Sequence, residues 1–285
     1  MSNIQLIECP RDAMQGWHAF IPTSKKIEYI NQLLKVGFDT IDFGSFVSPK
    51  AIPQMADTKE VIKSLDISKT STKLLAIVAN LRGAEDAVQY HQIEYLGFPF
   101  SVSPTFQLRN TNSTQQESLK IVEQIQGLCT KHNKQLVVYL SMGFGNPYGD
   151  DYSATILHYW AKAIADLGVQ IISLADTVGV ATEIQIQDAL TTLIPSFSNI
   201  NFGVHLHSSS LNWESKFKAA LNAGCTRFDG AIKGIGGCPM AQDDLVGNMD
   251  TLKMLSYLQQ HHPTSLTIND HELAKASLLA DNLFV

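Results

Sequence analysis

One phrase recurs along this chain and restricts what it can fold into: a helix, a glycine, then a short apolar strand. Leu33-Leu34-Lys35-Val36-Gly37 leads into Phe38-Asp39-Thr40-Ile41-Asp42-Phe43. Ala165-Asp166-Leu167-Gly168 leads into Val169-Gln170-Ile171-Ile172-Ser173-Leu174, and Ala220-Leu221-Asn222-Ala223-Gly224 into Cys225-Thr226-Arg227-Phe228-Asp229. A glycine just past a helix takes the left-handed cap that other residues resist. Strands regularly separated by helices make βα units, and βα units make a parallel sheet. The pattern predicts eight strands, at residues 4–8, 40–44, 73–78, 94–98, 135–141, 171–175, 201–207 and 227–231. Helices are predicted at 24–36, 58–65, 83–91, 113–131, 153–167, 182–193 and 212–223. In the first of them Ile27, Ile30, Leu33 and Leu34 form the buried stripe, with Thr23 or Ser24 as cap. The count fits an α/β protein of the (β/α)8 TIM-barrel type. A doubly wound open sheet normally carries a glycine-rich phosphate loop after strand one, and Cys9-Pro10-Arg11-Asp12 is not one. No linker, low-complexity tract or charge block interrupts the chain, so residues 1–285 read as a single domain. Residues 267–285, with Asp270 as cap, are expected to form an additional C-terminal helix packed on the barrel.

Composition narrows the partners. With 285 residues and 45% hydrophobic content, the chain can bury a large core. A net charge of −6 argues against a nucleic-acid binder, which is normally basic. No apolar run approaches the ~20 residues that cross a bilayer. Residues 1–9 show neither a secretory nor a transit pattern, so a cytoplasmic protein is expected, without membrane or nucleic-acid partners. Cys9, Cys129, Cys225 and Cys238 are few for this length and lack zinc-cage spacing.

In a TIM barrel, chemistry sits where strands meet the loops that follow them. Val204-His205-Leu206-His207 closes strand seven, and alternation on a strand puts both imidazoles on one face. Strand one leads to Arg11 and Asp12, strand two carries Asp42, strand six leads to Asp176, and Asn248 lies beyond strand eight. Asp12, His205, His207 and Asn248 offer two nitrogens and two oxygens. Such a mixed set suits Mg²⁺ or Mn²⁺ and leaves positions open for a substrate. Arg11 is a planar cation able to stabilise an enolate or carboxylate oxygen. Asp42 is either a carboxylate supporting the metal site or the buried partner of Arg11. Asp176 is either a helix cap or a member of the rim. Cys238, in Gly234-Ile235-Gly236-Gly237-Cys238-Pro239, sits on a tight loop where a thiol can give a proton or act as nucleophile. The remaining histidines lack a comparable constellation and read as surface or packing.

These motifs resemble those of the hydroxymethylglutaryl-CoA lyases, within the DRE-TIM metallolyase group. The resemblance runs from Leu6 to about Leu258 and is carried by Pro10-Arg11-Asp12-Ala13-Met14-Gln15, Ser45-Phe46-Val47-Ser48-Pro49-Lys50, Pro53-Gln54-Met55, the run from Ser173 to Val180, His205-Leu206-His207 and Gly236-Gly237-Cys238-Pro239. The second and last of these are the specific signals. The resemblance implies a (β/α)8 barrel, pyruvate carboxyltransferase-like, that cleaves 3-hydroxy-3-methylglutaryl-CoA to acetyl-CoA and acetoacetate with a divalent cation. Asp12, His205, His207 and Asn248 match the family's metal ligands. Arg11 matches the arginine that stabilises the enolate, Cys238 the loop cysteine of proton transfer, and Asp176 a carboxylate near the reacting hydroxyl. A metal-linked His205 is the other candidate base. Lys50 and Arg109 are candidates to meet the phosphates of the acyl-CoA. A homodimer and a place in leucine breakdown are the family's usual setting.

The chain departs from the family's pattern at four points. Asp42 stands where the family has Glu, a reach shorter by roughly 1.5 Å. Ser208 follows the histidine pair where the family has Asp. The interval from Cys238 to Asn248 is one residue longer than usual. Pro104 stands where an acidic residue is common. They admit two other readings: an aldolase-type lyase for another 3-hydroxy-acyl-CoA or a 2-oxo acid, or a barrel that binds metal or acyl-CoA without turnover.

Overall fold

The computed structural model describes residues 4–237, 246–262 and 266–285. Eight strands, β1 (Gln5–Glu8), β2 (Thr40–Ser45), β3 (Lys73–Ile77), β4 (Ile93–Ser101), β5 (Gln135–Ser141), β6 (Ile171–Ala175), β7 (Asn201–His205) and β8 (Arg227–Gly230), close into one parallel barrel. The closing pair is β1 with β8, from Gln5 opposite Arg227 to Glu8 opposite Gly230. The helices are α1 (Pro10–Gln15), α2 (Thr23–Leu33), α3 (Thr58–Lys63), α4 (Leu81–Ala87), α5 (Pro104–Thr111), α6 (Gln115–Lys131), α7 (Ala154–Asp166), α8 (Glu183–Ser196), α9 (Trp213–Asn222), α10 (Thr251–His261) and α11 (Asp270–Leu283).

Strand residues alternate between two apolar layers. Outward side chains such as Phe228 meet the helices, here Phe217 of α9 at a ring separation of 4.8 Å. Inward ones fill the bore, where Leu75, Tyr95, Val137, Tyr139 and Ile171 form a smaller cluster. The register of β2 against β3 slips between Asp42 and Gly44. Such a bulge re-aims a side chain at a barrel rim. The rim beside it is where Arg11 meets Asp42.

Helix starts follow their caps. Thr114 with Glu117 and Thr182 with Gln185 form complete capping boxes on α6 and α8, and Ser153 caps α7. Two expected caps lie elsewhere. Thr23 is already the first residue of α2 and gives its hydroxyl to Asp57 at 2.8 Å, while Pro22 takes the cap position. Asn269, not Asp270, caps α11 through the Glu272 N–H. Gln32 of α2 holds α11 through the Glu272 carbonyl and carboxylate at 3.0 and 2.7 Å. Three helices were not expected: α1, α5 and α10. The first two begin at Pro10 and Pro104, residues that read as loop but suit a first helical turn, where no N–H is needed. Strand β7 ends at His205, two residues sooner than expected. His207 instead pairs with Asn248 in an isolated antiparallel bridge.

Candidate active site

The C-terminal ends of β1 and β7 bring the two histidines and Asp12 together. One ligand atom each of Asp12, His205 and His207 lies within 4.8 Å of the others, and all three residues are buried or nearly so. The His207 Nδ1–H donates to the Thr177 carbonyl at 3.1 Å, so its Nε2 carries the lone pair. That Nε2 is buried and has no hydrogen-bond partner. His205 Nδ1 lies 3.1 Å from Asp229 Oδ2, which leaves Nε2 as the nitrogen open to a ligand. Burial, then the neighbouring His205, pushes His207 down to about 4, so its ring is neutral at pH 7. Burial alone would raise Asp12, but Arg11, both histidines and the Asn248 hydrogen bond outweigh it and hold the carboxyl at about 2. A carboxylate beside two ligand nitrogens, one of them a buried orphan, fits a divalent cation.

Asn248, the fourth ligand expected from sequence, packs against this group. Its Nδ2 donates to Asp12 Oδ2 at 2.7 Å and to the Ile235 carbonyl at 2.9 Å. Turning the amide over would set its oxygen against a carboxylate oxygen, so Oδ1 is the atom left to offer. A second group, Cys9, His205 and Asp229, also lies within ligand distance. Burial, then Asp229 and Asp42, hold the Cys9 thiol well above its usual value. Cys9 therefore stays protonated, and His205 Nδ1 is already bonded to Asp229. The Asp12 group is the better ligand set.

Arg11 is clamped from two sides. Its Nε and Nη2 reach Asp42 Oδ2 at 3.0 and 2.5 Å, and Nη1 reaches Asp12 Oδ1 at 2.8 Å. Asp42 thus makes a forked pair with Arg11 despite its shorter side chain. Burial pushes Asp42 up to about 6, and Arg11 opposes the shift, so the pair is charged at neutral pH. Three of five guanidinium N–H groups are used, which leaves two for a ligand.

The site opens into a cavity of about 170 Å³. Arg11, Asp12, His205 and His207 line it together with Ile52, Ile77, Pro99 and Phe106, among others. Helix α5 supplies Phe106. Asp150 pins the start of α5, accepting from the Ser103 hydroxyl, the Thr105 N–H at 3.0 Å and the Thr105 hydroxyl at 2.8 Å. A carboxylate from another loop therefore serves this helix start, whose first position is Pro104.

The HMGL-like family model matches residues 3–279. The chain belongs to that family. Hydroxymethylglutaryl-CoA lyase of Bacillus subtilis is 35% identical over 251 residues, covering 88% of this chain and 83% of that protein. A Pseudomonas aeruginosa protein named 3-hydroxy-3-isohexenylglutaryl-CoA/hydroxy-methylglutaryl-CoA lyase is 29% identical, covering 90% of this chain and 86% of its own. The solved HMG-CoA lyase of Acinetobacter baumannii, in complex with coenzyme A and 3-methylmalate, matches with a TM-score of 0.90 at 30% identity. That match covers 99% of this chain and 91% of the other.

Within this HMGL-like barrel, Arg11, Asp12, Asp42, His205, His207 and Asn248 converge. Asp176 lies beneath them with both oxygens bonded, Oδ2 to Lys216 at 2.7 Å and Oδ1 to the Ala181 N–H at 3.0 Å. Lys50 is exposed on the loop after β2. Arg109 is exposed, its guanidinium 4.6 Å from the centre of the Tyr148 ring. Cys238 lies outside the described residues. Ser208 is buried and turned from the ligand atoms, its hydroxyl 3.5 Å from the Asn248 carbonyl. Sequence reasoning missed Asp229, Gln15 and Lys216. Asp229 had a signal: it is two residues on from Arg227 at a strand end, on the inward face. Gln15, which donates to Asp12 at 2.7 Å, lies one helical turn beyond it.

Proposed function

We propose that this HMGL-like chain is a divalent-metal-dependent lyase that cleaves 3-hydroxy-3-methylglutaryl-CoA to acetyl-CoA and acetoacetate. The single observation that carries the reading is the buried set of Asp12, His205 and His207 beside Arg11, in a chain similar over most of its length to named HMG-CoA lyases. In the reaction the 3-hydroxyl gives its proton to a base, for which His205 is the remaining candidate, and its oxygen becomes a ketone. The bond between carbons 2 and 3 gives its electrons to the thioester, forming an enolate, and carbon 2 then takes a proton. Asp12, His205, His207 and Asn248 would hold Mg²⁺ or Mn²⁺, which supplies a Lewis acid for substrate oxygens. Arg11 directs its two remaining N–H groups at the enolate oxygen. Asp42 fixes the guanidinium plane, so the charge is in place before the enolate forms. Asp229 sets the His205 ring through Nδ1. Asp176 acts in this reading as the partner of Lys216 rather than as the base. Cys238 gives the proton to carbon 2, and Lys50 and Arg109 meet the CoA phosphates. The proposal extends to a cytoplasmic homodimer serving leucine breakdown. Among the described residues no helix is long and apolar enough to cross a membrane.

A second reading keeps the chemistry and changes the 3-substituent. The apolar lining of Ile52, Ile77, Pro99 and Phe106, and the Pseudomonas relative named for a 3-isohexenyl substrate, favour testing it. Protein supplied with the methyl thioester and Mg²⁺ or Mn²⁺ should release acetoacetate. Cleavage of the isohexenyl thioester alone would replace the first reading with the second. Full activity in Cys238→Ser would remove the thiol from the account.

A further inference from the structure

Lysine is among the side chains least often sealed from water, yet Lys216 of α9 is 2% exposed. Its ammonium has three N–H groups, and three acceptors surround it. They are Asp176 Oδ2 at 2.7 Å, the His207 carbonyl at 2.8 Å and the Gly179 carbonyl at 3.0 Å. All three donors can therefore be satisfied at once. The acceptors come from two strand ends, Asp176 and Gly179 after β6 and His207 after β7. The His207 ring is tied to the same β6 segment from its other side, through Nδ1–H to the Thr177 carbonyl at 3.1 Å.

We propose that Lys216 is a positioning residue of the metal centre. It anchors the His207 peptide to the β6 end while Thr177 anchors the His207 ring, and together these hold Nε2 toward Asp12 and His205. Asp176 neutralises the ammonium, so the clamp buries no net charge. The inference rests on the metal reading above and adds to it a residue outside the ligand set.

The test is uptake of Mn²⁺ by metal-free protein, followed by electron paramagnetic resonance of the free ion, with thermal unfolding alongside. Lys216→Met alone strands a buried carboxylate and endangers the fold. The decisive variant is therefore the double Asp176→Asn, Lys216→Met, which buries no charge. Lys216→Gln, which keeps two N–H donors, is measured beside it. The clamp predicts Mn²⁺ affinity about 10- to 100-fold weaker in whichever of these variants melts cooperatively. It also predicts an unchanged KM for the thioester at saturating metal. Wild-type affinity in a cooperatively folded variant would overturn the role of Lys216. Absence of Mn²⁺ uptake by the wild-type protein would overturn the metal reading, and this inference with it.

Discussion

Arg11 carries the most chemistry per atom in this site, because one guanidinium serves two carboxylates and still has two N–H groups free. Arg11→Lys keeps the charge but not the fork. Its kcat should fall by about 10²- to 10³-fold with KM nearly unchanged, and steady-state kinetics in which KM alone rises would place Arg11 in binding instead. A second residue-scale prediction concerns Glu8, which faces away from the bore. It accepts from Thr251 Oγ1 at 2.6 Å and the Ile232 N–H at 2.9 Å, and burial, first among its causes, raises it from 4.5 to about 8. A carboxyl raised on folding binds its proton more tightly in the native state. Its contribution is complete below about pH 4.5 and is lost as pH rises through about 8. Relative to Glu8→Gln, the native protein should lose about 4 kcal/mol between pH 5 and pH 9. Denaturant titrations showing parallel pH profiles for the two would contradict this. The candidate ligand residues were legible because strand alternation and position beyond a strand end are sequence properties. Lys216 was not, because on α9 it is one lysine among several polar residues, and only the packing of α9 against the β6 and β7 ends reveals its acceptors.

At the scale of elements, the join between β8 and α10 is tight. A Cβ on Gly230 would lie 2.9 Å from both the Met249 carbonyl and Thr251 Oγ1, and would also meet Met254. Gly230→Ala should cost about 1–3 kcal/mol by overpacking, read as a lower denaturation midpoint with an unchanged slope. An unaltered midpoint would mean that α10 yields easily. The strands were readable from apolar runs bounded by glycine. Helix α10 was also readable, since Leu252, Leu255 and Leu258 recur at helical spacing, but the expectation stopped at the polar loop before it. Helices α1 and α5 were hidden for a different reason. They are short, begin with proline and lie inside the loops where site motifs draw the eye, so Arg11 and Asp12 read as loop residues although they sit on a helical turn.

For the whole molecule, a closed barrel fixes eight strand ends on one rim, and three of those ends, with the segments after them, carry the candidate ligand set. A cation that binds only the folded rim stabilises the whole fold by mass action, about 2.7 kcal/mol at a hundred times its dissociation constant. Mg²⁺ or Mn²⁺ should therefore raise the melting temperature of chelated protein by several degrees, and His207→Ala should abolish that rise. Equal shifts in both proteins would place the bound metal elsewhere. The barrel class was legible from the recurring helix–glycine–strand phrase, while the choice between the two roles expected of Asp42, support of the metal site or buried partner of Arg11, needed the geometry of the rim, which pairs it with Arg11. The most direct test of the account is acetoacetate release from 3-hydroxy-3-methylglutaryl-CoA by protein stripped with chelator, before and after Mg²⁺ or Mn²⁺ is restored. The account predicts no product from the stripped protein and recovery on adding metal, with His207→Ala unrecovered; undiminished release from the metal-free protein would contradict it.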